Sequence, residues 1–122
     1  MFSVNKIILI GNVGRTPVVS YLNNKRIASF TLATHDSWKG QDGEWKNTTQ
    51  WHNIVVFNEK LVEIIENHLH KGSLAYVEGH YKSREYKDKQ GNAKSVFEVV
   101  LPAYGGSLVI LDKEANPDKK KD

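Results

Sequence analysis

The sequence predicts an all-β domain with one helix, a five-stranded and strongly curved sheet in which the helix falls between the third and fourth strands. Three observations carry this. Most of the chain alternates apolar and polar residues with a period of two. A single stretch, with Leu61, Ile64, Ile65, His68 and Leu69, repeats at helical spacing instead. Clusters of Gly, Asn, Asp and Lys separate these runs where turns are required. At 122 residues the chain is one domain, large enough to bury about two-thirds of the surface that its unfolded form exposes. The domain is assigned to residues 1–111, and residues 112–122 to a short disordered tail.

Asn5 to Asn12 is an almost continuous apolar run closed by Gly11, the pattern of a central strand buried on both faces. Val18 to Leu22 is a short strand, and Asn23-Asn24-Lys25 a polar hairpin tip. Arg26 to His35 alternates, with Ala28, Phe30 and Leu32 on a core face. Asp36 to Asn47 contains Gly40 and Gly43 and is expected to be a long hairpin loop, although it carries Trp38 and Trp45 beside Lys39 and Lys46. Thr48 to Asn58 is a strand with Ile54 and Val56 on the core side and Trp51, Asn53, Val55 and Phe57 on the other. Asn58 suits a helix N-cap with Glu59 near the positive end of the dipole, and Gly72 a C-terminal stop. Ser73 to Lys87 is the longest strand candidate: Ala75, Val77, Gly79 and Tyr81 face the core, opposite a row holding Tyr76, His80, Lys82, Arg84 and Tyr86. Lys87 to Asn92 is a hairpin tip, Ser95 to Ala103 a returning strand with Phe97, Val99 and Leu101 on one face and Val96, Glu98 and Val100 on the other, and Ser107 to Leu111 an edge strand or a packed tail. Such a layout is that of an OB-fold barrel, whose open face and loops bind oligonucleotides or oligosaccharides.

Composition narrows the function. There is no cysteine, which excludes disulfides, thiol catalysis and cysteine-ligated zinc. No apolar run approaches the roughly eighteen residues of a membrane span, and Met1 to Gly11 lacks the features of a secretory signal, so a soluble intracellular protein without membrane contact is expected. The net charge is only +3, but its distribution is uneven. Residues 1–57 hold six basic and three acidic side chains and residues 80–94 five and two, whereas the helical segment 58–71 has two against three. Positive charge therefore sits on the strands and their loops.

Catalysis finds little support. His68 and His70 lie two apart on a helix and point in different directions, which disfavours a shared metal. No phosphate-binding glycine loop, nucleophile elbow or HExxH is present, and no cofactor is called for. A metal-dependent nuclease using some of Asp36, Asp42, Glu78 and Glu98 is the enzymatic alternative. Binding is better provided for. Aromatic rings stack on bases without regard to their identity, while Lys and Arg neutralise phosphates. Trp38, Trp51, Phe57 and Tyr86 interleaved with Lys39, Lys46, Lys60, Arg84 and Lys87 meet that requirement for a single strand, with protein and sugar ligands as the other candidates.

Val4 to Asn12, Phe30 to Thr34, Thr49 to Phe57, Leu69 to Ser73 and Tyr76 to Gly79 resemble, in order and spacing, the signature blocks of bacterial single-stranded DNA-binding proteins, a family shared with the mitochondrial form. The resemblance runs over about Val4 to Leu111. It implies an OB fold assembled as a homotetramer, a dimer of dimers, around which single-stranded DNA wraps without sequence preference during replication, recombination and repair. It also implies a bacterial cytoplasmic, nucleoid-associated location rather than a mitochondrial one, with a primosome-type OB protein or an RNA-binding relative as nearby alternatives. Trp38, Trp51 and Phe57 match the base-stacking aromatics, and Tyr86 stands where many members have tryptophan. Lys60, Lys71 and Arg84 match phosphate-contacting positions, and Asn53 replaces a frequently basic one. His52 matches a residue of subunit contacts, and Tyr76 lies in a strand that helps to pair dimers. The expected Gly/Pro/Gln-rich linker and acidic tip do not follow Asp112 to Asp122, so recruitment of replication and repair proteins through such a tip is not implied. Trp45 lies outside the matching blocks.

Overall fold

In the computed structural model, which describes residues 1–112, the order is β1 (Ile7–Val13), β2 (Val18–Leu22), β3 (Lys25–Lys39), β4 (Trp45–Val56), α1 (Glu59–His68), β5 (Leu74–Lys87), β6 (Ala93–Leu101) and β7 (Ser107–Ile110). Five of the seven strands close on one another in the circuit β1–β3–β4–β6–β5 and back to β1. This is the expected closed five-stranded OB barrel, with α1 between its third and fourth strands in chain order. Every pairing in it is antiparallel except β4 with β6, which is parallel. β2 and β7 lie outside the circuit, on β3 and β5.

Local chemistry accounts for the turns. Asn23 and Asn24 both have positive φ, 52° and 66°, as a two-residue hairpin loop demands, and asparagine is among the few residues that tolerate it. The Asn58 side chain caps α1 by accepting the N–H groups of Lys60 at 3.1 Å and Leu61 at 3.3 Å, worth about 1 kcal/mol. The helix buries Val62 and Ile65, and Leu69 just beyond it, into a core that includes Leu32, Ile54, Val56, Val77 and Leu101. Ile64 and His68, expected on the inner face, are exposed; Val62, one residue from the assumed stripe, takes the place of Ile64. Asn5 extends the β1–β5 ladder, its side-chain amide donating to the Tyr81 carbonyl and accepting the Tyr81 N–H, both at 2.8 Å.

Three expectations are corrected. Asp36 to Asn47 is not a loop: β3 and β4 remain paired from His35↔Thr49 to Lys39↔Trp45, and only residues 40–44 turn. Among the described residues no third strand pairs with this part of the ribbon, so no core imposes an apolar alternation on it. Secondly, β1 is buried on one face only; Ile8 and Ile10 are each 54 % exposed on the other. Thirdly, Tyr81 is exposed beyond the core, its ring stacked on that of the exposed Phe97 with centroids 5.5 Å apart and planes 12° from parallel. Of the residues assigned to the tail, Asp112 is described: its carboxylate accepts the Leu74 N–H at 2.6 Å. The others lie outside the described residues.

Candidate nucleic-acid interface

Residues registered across neighbouring strands share a face. Trp51 lies opposite Ala33 and Asn53 opposite Thr31 on β3. Asn53 is registered with Glu98 on β6, and Glu98, Val96 and Lys94 with Lys82, Arg84 and Tyr86 on β5. One surface thus runs from Trp51 across Asn53 and Glu98 to Arg84, and along β5 to Tyr86. Arg15, from the turn after β1, rims a groove of about 330 Å³ in this surface together with Thr31, Asn53, Arg84, Val96 and Glu98.

Trp51 is held against the turn that follows β1. A Cβ added at Gly14 would overlap the indole and come within 2.7 Å of the Thr31 hydroxyl, while the Gly14 N–H donates to the Thr31 carbonyl at 2.9 Å. Glycine is thus what lets the ring lie over the backbone. Trp51 remains 59 % exposed and shares a cleft with Gly14, Arg15 and Thr31. The turn holding Lys71 adjoins from below: Gly72 donates to the Val13 carbonyl at 2.8 Å, and Val13 to that of Ser73 at 2.9 Å.

Arg84 is oriented by Glu98, with Nε 3.3 Å from Oε1. The carboxylate is mostly buried and the arginine mostly exposed. A partly solvated pair of this kind adds little stability, but it fixes where the guanidinium points. Tyr86 and Lys94 sit side by side farther out on the β5–β6 ribbon.

The other expected contacts are distributed differently. Trp38 is registered with Lys46, on the face of the β3–β4 ribbon opposite to Trp51. Lys46 also lies 3.9 Å from Asp42 across the tip. Phe57 lines a different cleft from Trp51. β4 ends at Val56, and Phe57, half-buried, lines a separate cleft of about 430 Å³ with Lys25, Lys60 and Tyr104.

His52 and Tyr76 lie in two different places, His52 on the alternate face of β4 but bordering the Trp51 surface, and Tyr76 away from it. His52 Nε2 is 2.9 Å from the Thr34 hydroxyl, and its ring borders a cleft with Ile7, Tyr81 and Phe97 that Trp51, Asn53 and Glu98 also line. Burial pushes its pKa below the usual imidazole value. Tyr76 lies on the outer face of β1, β5 and β7, between Ile10 and Val109. Its hydroxyl donates to Glu78 at 2.9 Å, and Lys6 approaches the same carboxylate at 3.3 Å. The hydrogen bond from Tyr76, with that from Lys6, lowers the Glu78 pKa, and the same bond raises that of Tyr76.

Sequence reasoning did not single out Gly14, Arg15, Lys25, Tyr104 or the Tyr81–Phe97 stack as parts of a surface. For Arg15 a signal was available, a cation in a Gly-containing turn, but its neighbour in space, Trp51, is 36 residues away in the chain.

Comparison with known proteins agrees over nearly the whole chain. The model of the single-strand binding protein family matches residues 4–104. A single-stranded DNA-binding protein of Rickettsia felis is 39 % identical over 122 residues, 98 % of this chain and 80 % of its own. One from Rickettsia typhi is 42 % identical over 114 residues, 92 % of this chain and 75 % of its own. Among solved structures, the Plasmodium falciparum SSB complex with ssDNA superposes with a TM-score of 0.86 at 37 % identity, covering 92 % of this chain and 98 % of that one.

Proposed function

The chain belongs to the single-strand binding protein family, and from that premise we propose that it binds single-stranded DNA without sequence preference, protecting it during replication, recombination and repair. One observation carries the proposal at the level of residues: Trp51 presents an open ring on a glycine seat, at the head of a groove whose polar rim includes Arg15 and Arg84. An open indole stacks on any base, and a guanidinium beside it neutralises the adjoining phosphate. We assign base stacking to Trp38, Trp51, Phe57 and Tyr86, and phosphate contact to Lys46, Lys60, Lys71 and Arg84. The reading includes no catalytic step and no cofactor. It extends to a bacterial cytoplasmic location, at the chromosome, in keeping with the bacterial relatives.

Assembly as a homotetramer fits the exposed surface. A dimer of dimers needs two distinct self-complementary patches on each subunit. Ile8, Ile10, Tyr76 and Val109 supply one, a largely apolar outer sheet face. The second surrounds His52, with Tyr81 and Phe97.

Titration with oligo(dT) tests the function. Tryptophan emission is quenched on addition and recovers with salt, because phosphate contacts release counterions. Unchanged emission together with no retention of a labelled oligonucleotide overturns the reading, and magnesium-dependent cleavage of the strand replaces it with a nuclease.

A further inference from the structure

We propose that Trp45 is a further base-stacking platform, and that the ribbon face joining it to Trp51 is a lane for single-stranded DNA; this rests on the DNA-binding reading above. Trp45 is 69 % exposed, more open than Trp51 or Trp38. The strand that carries it gives it no structural work. Every residue from His35 to Lys39 and from Gln41 to Trp51 is exposed, so no core exists there for an indole to fill. An open tryptophan beside unpaired strand edges is a liability for self-association. Its presence asks for an occupant.

The register identifies the chemistry of that occupant. On the face shared by Trp45 and Trp51, successive cross-strand pairs are Lys39↔Trp45, Ser37↔Asn47, His35↔Thr49 and Ala33↔Trp51. None of these is a carboxylate. The middle pairs are knit together by hydrogen bonds, Ser37 to Asn47 at 2.7 Å and His35 to Thr49 at 3.1 Å, which form a polar floor between the two indoles. The opposite face differs, since Asp36 stands there between Trp38 and the barrel. Trp45 and Trp51 are six residues apart on one strand, roughly 20 Å at the usual rise. A cation stands at each end, Lys39 across from Trp45 and Arg15 in the cleft of Trp51. Bases at the two ends, phosphates over the cations and a carboxylate-free floor between them describe a stretched polyanion with flat side groups.

Trp38, Trp45 and Trp51 are the chain's three tryptophans, which makes a direct test possible. In a Trp38→Phe, Trp51→Phe double variant, all indole emission comes from Trp45. At low salt, with binding followed independently through the anisotropy of a labelled oligo(dT), that emission is quenched in step with binding. In the otherwise unaltered protein, Trp45→Ala weakens binding about five- to hundredfold, the range for one lost stacking contact, and Trp45→Phe restores most of it. Binding without any change in Trp45 emission overturns the lane while leaving the DNA-binding function standing. So does a Trp45→Ala protein with unaltered affinity but altered oligomeric mass, which would make the ribbon tip a contact between copies. Failure of the unaltered protein to bind oligo(dT) at all defeats the functional reading itself.

Discussion

Trp38 and Trp51 project from opposite faces of one two-stranded ribbon, Trp38 registered with Lys46 and Trp51 with Ala33. A strand of DNA lying flat on one face cannot stack on both. It must round the edge of the ribbon, or two separate segments must be held. The two indoles should therefore act independently. Side chains without a shared partner have additive effects, within roughly 0.5 kcal/mol. Trp38→Ala and Trp51→Ala should each cost about 1 to 3 kcal/mol of affinity for long oligo(dT), and the double variant their sum. A double-mutant cycle measured by titration checks this; strong coupling would mean that both rings clasp the same base.

The seat of Trp51 offers a way to disturb the site without touching a contacting residue. Gly14→Ala places a methyl group where the indole lies, so the ring must swing off the turn. DNA affinity should fall by an amount approaching that of Trp51→Ala, while the thermal midpoint changes little, because the displaced ring is exposed and not part of the core. A large loss of stability with normal affinity would contradict this account of the seat.

Arg84 should reveal itself through salt. If it meets a phosphate, Arg84→Ala lowers the slope of log affinity against log salt by about 0.7, the value for one contact on a single strand. Glu98 holds Nε at 3.3 Å, and Glu98→Gln weakens that tether. It also removes a negative charge from the groove, so affinity at low salt should rise while the slope stays unchanged. Equal slopes for Arg84→Ala and the unaltered protein would remove Arg84 from the phosphate contacts.

His52 predicts a pH dependence of definite sign. Burial lowers its folded pKa beneath the unfolded value of about 6.5, so between the two the unfolded chain binds more protons. Stability rises with pH across that window. The contribution is fully present above about pH 6.5 and is lost as pH falls through the folded pKa. His52→Gln should flatten this part of the profile of thermal midpoint against pH. A variant that retains the same slope there would place the titration on another group.

The outer sheet face gives a separable effect. Ile10→Asp puts a charge beside Tyr76 on a face that carries Ile8 and Val109. It should halve the mass of the assembly in sedimentation while single subunits remain folded, since Ile10 takes no part in the core. An unchanged mass would exclude this face from the interface.

Much of the fold could be read in advance, because the barrel enforces its pattern on the chain. Ile54 and Val56, the Asn58 cap and the asparagines of the first hairpin all lie where alternation and turn chemistry put them. The errors fall where that enforcement ends. Residues 36–47 pair without packing, so their strands carry no apolar signature. Ile8 and Ile10 read as core because an apolar residue on an open sheet face looks the same, in one sequence, as one packed in the chain's own interior. At the site, residue types were recognisable as a set, but their grouping was not. Only register shows that Trp45, and not Trp38, shares a face with Trp51, or that Phe57 belongs to a different cleft with Lys25 and Tyr104.

The closure of five strands into a ring leaves the ends of β3–β4 and β5–β6 as two prongs that, among the described residues, no other strand supports. The ring bears the cooperativity of folding, and the prongs borrow almost none of it. Substitutions at their tips are therefore nearly free of folding consequences, so length, charge and aromatic content there can drift under selection for the nucleic acid alone. Tyr86 and Trp45 are aromatic residues placed where such freedom allows them. Grip and scaffold are thus assigned to different parts of the same four strands.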